Sequence, residues 1–335
     1  METKKVFKKI DKCEEEILKT VGIKRSDYTK ANIRQENLHY LEFGHKNKHT
    51  ILLVHGYGGS GISFYRIIPE LMKFFHVIAV DLMGFGKSDR PDFSFSSCEE
   101  SIRFFTIPLV TLINIKKIDK LIVLGHSLGG LISSHLCLLI KEKIIALFLV
   151  GSAGFTNKTL SDEESELVFR HYGKYYNVNH KVIEYANYLT FKKKYPVFDY
   201  LLDSWKGHYI AHFFENESLD LSLIERKLFT QYYQLIYTMK ACGSNCIWGI
   251  VQITGHCEMP SIDILKDNRD IECFIYYGDE EFLDIKQAYE ACKKYNLDKN
   301  FRILPKTPHQ VFFANPSGFL AQFLSDVQKV FRDND

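Results

Sequence analysis

The chain has 335 residues, of which 46% are hydrophobic and 25% are charged. These proportions are typical of globular proteins and exclude a collagen-like fibre, a coiled-coil rod and an intrinsically disordered chain. The formal net charge is only +2, so no overall electrostatic field indicates a nucleic-acid partner. The length fits either two domains or one large α/β unit that carries an insertion.

The first predicted element is an amphipathic helix near the N-terminus. Its apolar positions recur every three or four residues and are Val6, Ile10, Cys13, Ile17 and Val21. Its first turns carry the lysines Lys4, Lys5, Lys8, Lys9 and Lys12. We therefore predict a helical arm over residues 1–30. This arm either docks on the protein body with a solvated lysine face, or makes peripheral contact with an anionic membrane or lipid droplet.

The cellular compartment is inferred from the first residues and from the cysteines. Residues 1–12 contain no long apolar run and no small-residue cleavage site, which argues against a secretory signal. The eight cysteines are scattered along the chain, so we expect free thiols in a reducing compartment. These two observations together favour a cytoplasmic protein, with membrane contact limited to the periphery.

Short apolar runs alternate with helical patterns up to residue 155. The predicted strands are Asn37–Phe43, Thr50–Val54, His76–Asp81, Lys120–Leu124 and Ile144–Val150. The predicted helices are Phe64–Phe75, Glu99–Ile115 and one that ends at Leu139. Such apolar strands are typical of a parallel sheet covered by helices on both faces. The charge-free stretch Leu121–Ile140 has the length of a membrane span, but Gly125–Gly130 interrupts it, so a strand, a turn and a buried helix are predicted.

Helical and aromatic sequence replaces this alternation between residues 156 and 267. Three helical patterns are found there, Glu163–Tyr172, Lys181–Lys192 and Leu221–Met239, and both tryptophans, Trp205 and Trp248. Strands then resume at Ile271–Tyr276 and Asn300–Leu304, before a last helix over Ser317–Phe331. We predict an α/β core of residues 31–155 and 268–335 with an inserted helical cap, residues 156–267, over the ligand-binding edge of a mostly parallel sheet. Trp205 and Trp248 are candidate substrate-binding residues of that cap.

The strongest local signal is the G-x-S-x-G pattern of Gly125–Gly129. It lies between a predicted strand and a predicted helix, as a nucleophile turn requires. The sharp turn holds the central residue in a strained conformation, and it exposes the Ser127 hydroxyl above the N-terminus of the following helix. Ser127 is therefore the candidate nucleophile, and the adjacent His126 is a candidate substrate-binding residue.

A glycine-rich turn, His55–Gly59, follows the strand Thr50–Val54. A turn in this position presents a backbone N–H to a developing oxyanion, together with the N–H of the residue after the nucleophile. This interpretation assigns the oxyanion hole to Tyr57 and Leu128. The same turn also reads as the dinucleotide fingerprint G-x-G-x-x-G, with Asp81 as the acidic partner. We favour the oxyanion hole because a dinucleotide site leaves the Ser127 motif unexplained.

A nucleophilic serine needs a base and an orienting acid. Among thirteen histidines, His309 follows the last predicted strand in a loop at the carboxyl edge of the sheet, and it completes the chain order serine, acid, histidine. The acid is expected after Ile271–Tyr276, where Glu281 is the first choice and Asp279 and Asp284 are the alternatives.

Two other patterns are weak. Cys242, Cys246, His256 and Cys257 lack the tight paired spacing of structural zinc sites. The segment Gly84–Ser88 lacks the first glycine of a phosphate-binding loop. We therefore expect neither a metal nor a cofactor.

Five sequence blocks in this order resemble the α/β-hydrolase superfamily. They are His55–Gly59, Asp81–Pro91, Gly125–Gly130, Tyr277–Asp284 and His309–Phe319. The blocks Asp81–Pro91 and His309–Phe319 are most similar to the branch of N-acyl-phospholipid lipases, lysophospholipid acyltransferases and a lipase co-activator, which implies lipid ester substrates. Two positions depart from that branch. Ala314 replaces an aspartate of a motif proposed for acyl transfer, and Glu281 stands where aspartate is commoner.

These observations predict a serine hydrolase of the esterase or lipase type that cleaves lipid or other apolar acyl esters through an acyl-enzyme on Ser127. The alternatives are a non-catalytic lipid- or lipase-binding regulator, and an acyltransferase or thioesterase that uses the same three residues. The expected partner is a small-molecule or lipid ester substrate.

Overall fold

The computed structural model describes residues 2–33, 37–92, 97–157, 219–237, 239–240, 242, 246, 249–251 and 257–332, together with scattered positions between 161 and 188. Trp205, Trp248 and His256 lie outside the described residues, as do large parts of the two helical patterns predicted between residues 163 and 192.

Eight strands form one sheet. They are β1 (Tyr28–Ile33), β2 (Leu38–Phe43), β3 (His49–Val54), β4 (Phe75–Val80), β5 (Leu121–His126), β6 (Ile144–Val150), β7 (Cys273–Glu280) and β8 (Phe301–Pro308). Their order is β1-β2-β4-β3-β5-β6-β7-β8. The pairs β1–β2 and β2–β4 are antiparallel and the others are parallel. The predicted α/β-hydrolase fold, a mostly parallel sheet flanked by helices, is confirmed.

The described helices are α1 (Glu2–Thr20), α2 (Ile68–Phe74), α3 (Cys98–Ile115), α4 (Leu128–Leu139), α5 (Leu223–Tyr237), α6 (Ser261–Asp267), α7 (Ile285–Lys294), α8 (Val311–Ala314) and α9 (Pro316–Arg332). Among the described residues, none of these helices combines the length and the hydropathy that a membrane span requires.

Neighbouring residues of each central strand pack into different cores. Ile51 and Leu53 of β3 belong to the core that contains α1, α5 and α9, whereas Leu52 and Val54 belong to the core that contains α3 and α4. Because both faces of the sheet are covered, the four consecutive residues Ile51–Val54 of β3 are all apolar. This burial fixes the carboxyl ends of the strands, where β3 runs into the turn His55–Gly59 and β5 runs into the turn at Ser127.

Helix α1 packs in the same core as α5 and α9. Ile10, Ile17 and Leu18 are fully buried, and the ammonium group of Lys87 lies 2.8 Å from Asp11 and 2.7 Å from Glu14. Strand β1, which follows, was not predicted from the sequence. It is an edge strand with the sequence YTKANI and a polar middle, so it lacks the apolar run that marks the other strands.

Candidate active site

Ser127 lies in the turn between β5 and α4 with φ 53° and ψ −120°, a strained conformation for a residue with a side chain. Glycine is needed at two positions of this turn, because a side chain there would clash with neighbouring backbone atoms. A β-carbon at Gly125 would lie 2.3 Å from the carbonyl oxygen of Gly129, and one at Gly129 would lie 2.2 Å from that of Val54. The Ser127 N–H donates to the carbonyl of Val150 over 2.9 Å. The sheet therefore holds the strained residue in place.

His309 lies in the loop between β8 and α8, and its Nδ1 is 2.7 Å from Oε2 of Glu281. A carboxylate only accepts hydrogen bonds, so Nδ1 carries a proton and donates, and in a ring with a single proton Nε2 is then the acceptor. The other oxygen of Glu281 accepts from the backbone N–H of Phe282 at 2.9 Å and of Leu283 at 3.2 Å. The Glu281 side chain is fully buried, which gives its charge a fixed position beside the imidazole.

The two alternative acids are engaged elsewhere. Asp279 accepts a hydrogen bond from the backbone N–H of Thr307 at 3.0 Å, and the hydrogen bonds from Thr307 and Lys306 lower the pKa of Asp279. Asp284 caps the N-terminus of α7 by accepting from Gln287 at 2.9 Å. Of the three candidate acids, the structure therefore brings Glu281 to His309.

The oxyanion turn, His55–Gly59, is held by its own histidine. His55 Nε2 accepts from the N–H of Leu82 at 2.9 Å, so Nδ1 carries the proton and donates to the carbonyl of Gly56 at 2.7 Å. Burial lowers the pKa of His55, which agrees with a neutral ring. The Gly56 carbonyl and the Tyr57 N–H belong to one planar trans peptide unit and point in opposite directions. Fixing the carbonyl therefore orients the N–H.

Leu128 is the first residue of α4. The first N–H groups of a helix have no carbonyl partner within that helix, and the helix dipole adds partial positive charge there. The N–H of Leu128 thus suits a developing negative charge next to Ser127.

One pocket contains most of these groups. Its lining includes His55, Gly56, Tyr57, Gly58, Gly59, Ser63, Phe64, His126, Ser127, Tyr233, Tyr237, His309, Gln310, Phe312 and Phe313. Ser127 and His309 share this pocket with the oxyanion turn, and aromatic rings from α8 and the region before α2 supply an apolar wall. Tyr233 and Tyr237 come from α5, and sequence reasoning assigned them no role.

His126, a predicted substrate-binding residue, lines the pocket and also contacts the candidate base His309. Its Nε2 donates to the backbone carbonyl of His309 over 2.9 Å, and the two ring centroids are 4.9 Å apart. Burial, with a smaller effect from the charge of His309, lowers the pKa of His126 to about 3. His126 is therefore neutral and acts as a fixed donor that holds the His309 backbone. No sequence signal reveals this contact, because it joins positions 183 residues apart.

Asp81 has a structural position beneath the oxyanion turn. Its buried carboxylate accepts from His39 Nδ1 at 2.9 Å and from the N–H groups of Gly61 and Lys87 at 2.7 and 2.8 Å. Burial alone would raise the pKa of Asp81, but the charge and hydrogen bond of His39 hold it well below its ordinary value. Asp81 thus ties the segment after β4 to the segment after the oxyanion turn.

Within the part of the chain that the structure describes, two groups of histidine and carboxylate side chains lie close enough to share a metal ion, Glu42 with His45 and His76, and Glu14 with His39 and Asp81. In each group a lysine ammonium already pairs with the carboxylate. Lys116 lies 2.6 Å from Glu42 and Lys87 lies 2.7 Å from Glu14. These lysines supply the positive charge that a metal would bring.

Comparison with known proteins gives one family and several relatives. The family described as the alpha/beta hydrolase fold matches residues 49–178 of this chain. A 1-acylglycerol-3-phosphate O-acyltransferase of Arabidopsis thaliana is 30% identical over 84% of this chain and 66% of its own length. The human 1-acylglycerol-3-phosphate O-acyltransferase ABHD5 is 33% identical over 46% of this chain and 45% of its own length. The chain thus spans just under two thirds of the plant relative and less than half of the human one.

Solved structures share the fold. The crystal structure of a membrane phospholipase A superposes with a TM-score of 0.65 and 19% identity, and covers 96% of this chain and 90% of its own. At this level of identity the likeness concerns the fold.

Proposed function

Because this chain belongs to the α/β-hydrolase superfamily and resembles its lipid-related branch, we propose that it is a serine hydrolase of the esterase or lipase type, acting on lipid or other apolar acyl esters. One observation carries the proposal: the pocket that exposes Ser127 also exposes His309, whose Nδ1 donates to the buried carboxylate of Glu281. A buried carboxylate aligned on a histidine beside a strained serine is the arrangement that activates a hydroxyl nucleophile.

In the first half of the proposed reaction, Nε2 of His309 takes the proton of the Ser127 hydroxyl while its oxygen attacks the ester carbonyl carbon. The imidazolium that forms is stabilised by Glu281 through Nδ1. The carbonyl oxygen becomes an oxyanion, which accepts hydrogen bonds from the N–H groups of Tyr57 and Leu128. His309 then returns the proton to the departing alcohol, and an acyl group remains on Ser127.

In the second half, His309 removes a proton from water, and the resulting hydroxide equivalent attacks the acyl carbon. The same oxyanion hole stabilises the second tetrahedral intermediate. Its collapse breaks the bond to the Ser127 oxygen, which recovers a proton from His309, and the carboxylic acid leaves.

The proposed substrate class is supported by the pocket wall and by the relatives. Phe64, Phe312 and Phe313 supply apolar surface, which favours an acyl chain or another hydrophobic group. The relatives are named for reactions of acylglycerol phosphates. Residues 156–267 are proposed as the cap, with Trp205 and Trp248 as further substrate contacts.

Peripheral contact with an anionic lipid surface through α1 is part of the proposal. Lys5, Lys8, Lys9 and Lys12 are exposed, and their spacing puts them on one side of the helix. The buried face of α1 is occupied by the protein core, so the proposed contact is electrostatic and leaves the helix in place.

An acyltransferase is the second candidate, favoured by the relatives that are named acyltransferases. It differs in one step, because an alcohol acceptor replaces water in attacking the acyl-enzyme. Ala314, where the lipid-related branch has an aspartate, weighs against it. A non-catalytic regulator is the third candidate, and the retained Ser127 and His309 weigh against it.

The experiment compares wild type with Ser127→Ala on p-nitrophenyl esters of increasing chain length and on a lysophospholipid, with and without an acylglycerol phosphate as acceptor. Release of free fatty acid that depends on Ser127 supports the hydrolase. Preferential transfer to the acceptor supports the acyltransferase. Equal, background rates for both proteins on every ester contradict both enzymes.

A further inference from the structure

Helix α5 reaches the oxyanion turn through tyrosine hydroxyls. Tyr237 Oη donates to the carbonyl of Gly58 at 3.3 Å, and Tyr232 Oη donates to Ser60 Oγ at 2.9 Å. Tyr233 Oη lies 3.1 Å from Ser63 Oγ. All three partners lie within the six residues 58–63 that follow Tyr57. This segment contains three glycines.

The contact of Tyr237 differs from the other two because it lies on a chain of peptide units that leads to the oxyanion hole. The peptide unit between Gly58 and Gly59 accepts from Tyr237 through its carbonyl, and its N–H donates to the carbonyl of Gly56 at 3.1 Å. The next unit joins that carbonyl to the N–H of Tyr57. Hydrogen bonds therefore connect the Tyr237 hydroxyl to peptide unit 58–59, and that unit to peptide unit 56–57, whose N–H faces the proposed oxyanion.

Hydrogen bonds in such a chain reinforce one another. A donor on the carbonyl of a peptide unit draws electron density from its N–H, which then becomes a better donor to the next carbonyl. Each bond also restricts the rotation of the unit it holds. Through these two peptide units, the Tyr237 hydroxyl therefore influences both the direction of the Tyr57 N–H and its strength as a hydrogen-bond donor.

We propose that Tyr237 is a positioning residue for the oxyanion hole, acting through the peptide units 58–59 and 56–57. This inference rests on the proposed function, since it concerns the oxyanion of the same reaction. It also gives residues of the proposed cap, 156–267, a part in the site, because α5 lies within them.

Helix α5 is anchored firmly enough for this role. Glu225, near its start, accepts from Arg66 Nη2 with both oxygens at 3.0 Å, and Arg66 Nη1 donates to the carbonyl of Phe313 at 2.8 Å. Phe313 belongs to α8, immediately after the His309 loop. One helix is therefore connected to both the oxyanion turn and the segment that carries the base.

The test is the variant Tyr237→Phe, which keeps the ring and removes the hydroxyl. Its kcat is expected to fall about tenfold with KM within about twofold of wild type, a smaller effect than the 10²–10³-fold loss for a direct oxyanion donor. The inhibition constant of a trifluoromethyl ketone, which forms a tetrahedral adduct with the serine, should rise by the same factor as kcat falls. If Tyr237 had only a structural role, the factor by which kcat falls would not match the factor by which the inhibition constant rises.

Two further tyrosines serve as comparisons. Tyr233→Phe changes a hydroxyl in the same helix and pocket but outside the peptide chain, so its effect is expected on KM rather than kcat. Tyr289 lies on α7 and is partly exposed, so the kcat and KM of Tyr289→Phe should equal those of wild type. A Tyr237→Phe enzyme with the kcat of wild type, or with a loss confined to KM, overturns the inference alone. A wild type without Ser127-dependent turnover overturns the proposed function, and the inference with it.

Discussion

The carboxylate of Glu281 and the imidazole of His309 meet at the end of β7 and β8, where Oε2 and Nδ1 are 2.7 Å apart. Strands β7 and β8 are parallel neighbours, so the loops at their carboxyl ends lie side by side. Two backbone N–H groups donate to its other oxygen and keep the carboxylate directed at the ring.

The first prediction concerns this pair. Glu281→Gln removes the charge that stabilises the imidazolium and is expected to lower kcat by about 10²–10⁴-fold. Steady-state ester hydrolysis measures the effect. Asp279→Asn and Asp284→Asn are the matched controls, because these carboxylates bond to Thr307 and Gln287 instead, and both should keep at least half of the wild-type kcat. A greater loss in either control than in Glu281→Gln would assign the acid differently.

The second prediction concerns His126. His126→Phe keeps a ring of similar size but leaves the His309 carbonyl without its donor, which should lower the free energy of unfolding by about 1–3 kcal/mol and reduce kcat. His135→Phe is the control, since His135 Nε2 makes the same kind of bond to the carbonyl of Met259 at 2.8 Å, away from the pocket. Urea denaturation should show similar losses for both variants. Equal activity of the two variants would exclude a role for His126 in holding the base.

The contribution of sequence reasoning differs between the fold and the site. The apolar strands and the Ser127 turn could be predicted, because each depends on a local pattern. The expected order along the chain made Glu281 and His309 the candidate acid and base. Strand β1 could not, since its polar middle is stabilised by pairing with β2. The supporting contacts of His126 and Tyr237 join residues 183 and 179 positions apart, and no local pattern encodes such distances.

The third prediction concerns the attachment of α1. Lys87→Met leaves the buried carboxylate of Glu14 without its cation and should lower the free energy of unfolding by about 3–5 kcal/mol. The double variant Lys87→Met/Glu14→Leu replaces both charges with apolar side chains and should recover most of that loss. Chemical denaturation of the three proteins provides the measurement. If the double variant is as unstable as Lys87→Met, the stability does not depend on this charge pair.

The fourth prediction concerns the lysine face of α1. Replacing Lys5, Lys8, Lys9 and Lys12 with glutamine should reduce binding to vesicles that contain phosphatidylserine by more than tenfold, at about 1 kcal/mol for each lysine near the surface. The control replaces Lys286, Lys293, Lys294 and Lys299, which lie on or near α7, and should bind as wild type does. Cosedimentation at low and high salt gives the readout. Binding that is unchanged in the α1 variant would exclude this face as the contact.

The acyl-enzyme on Ser127 is the central claim, and covalent labelling tests it most directly. Wild-type protein is incubated with a fluorophosphonate, and intact-mass analysis is followed by peptide mapping, with Ser127→Ala and His309→Ala in parallel. We expect one adduct per chain, located on Ser127, absent from Ser127→Ala and formed at least 10²-fold more slowly in His309→Ala. A wild-type protein that remains unlabelled, or a Ser127→Ala protein labelled to the same extent, would contradict the account.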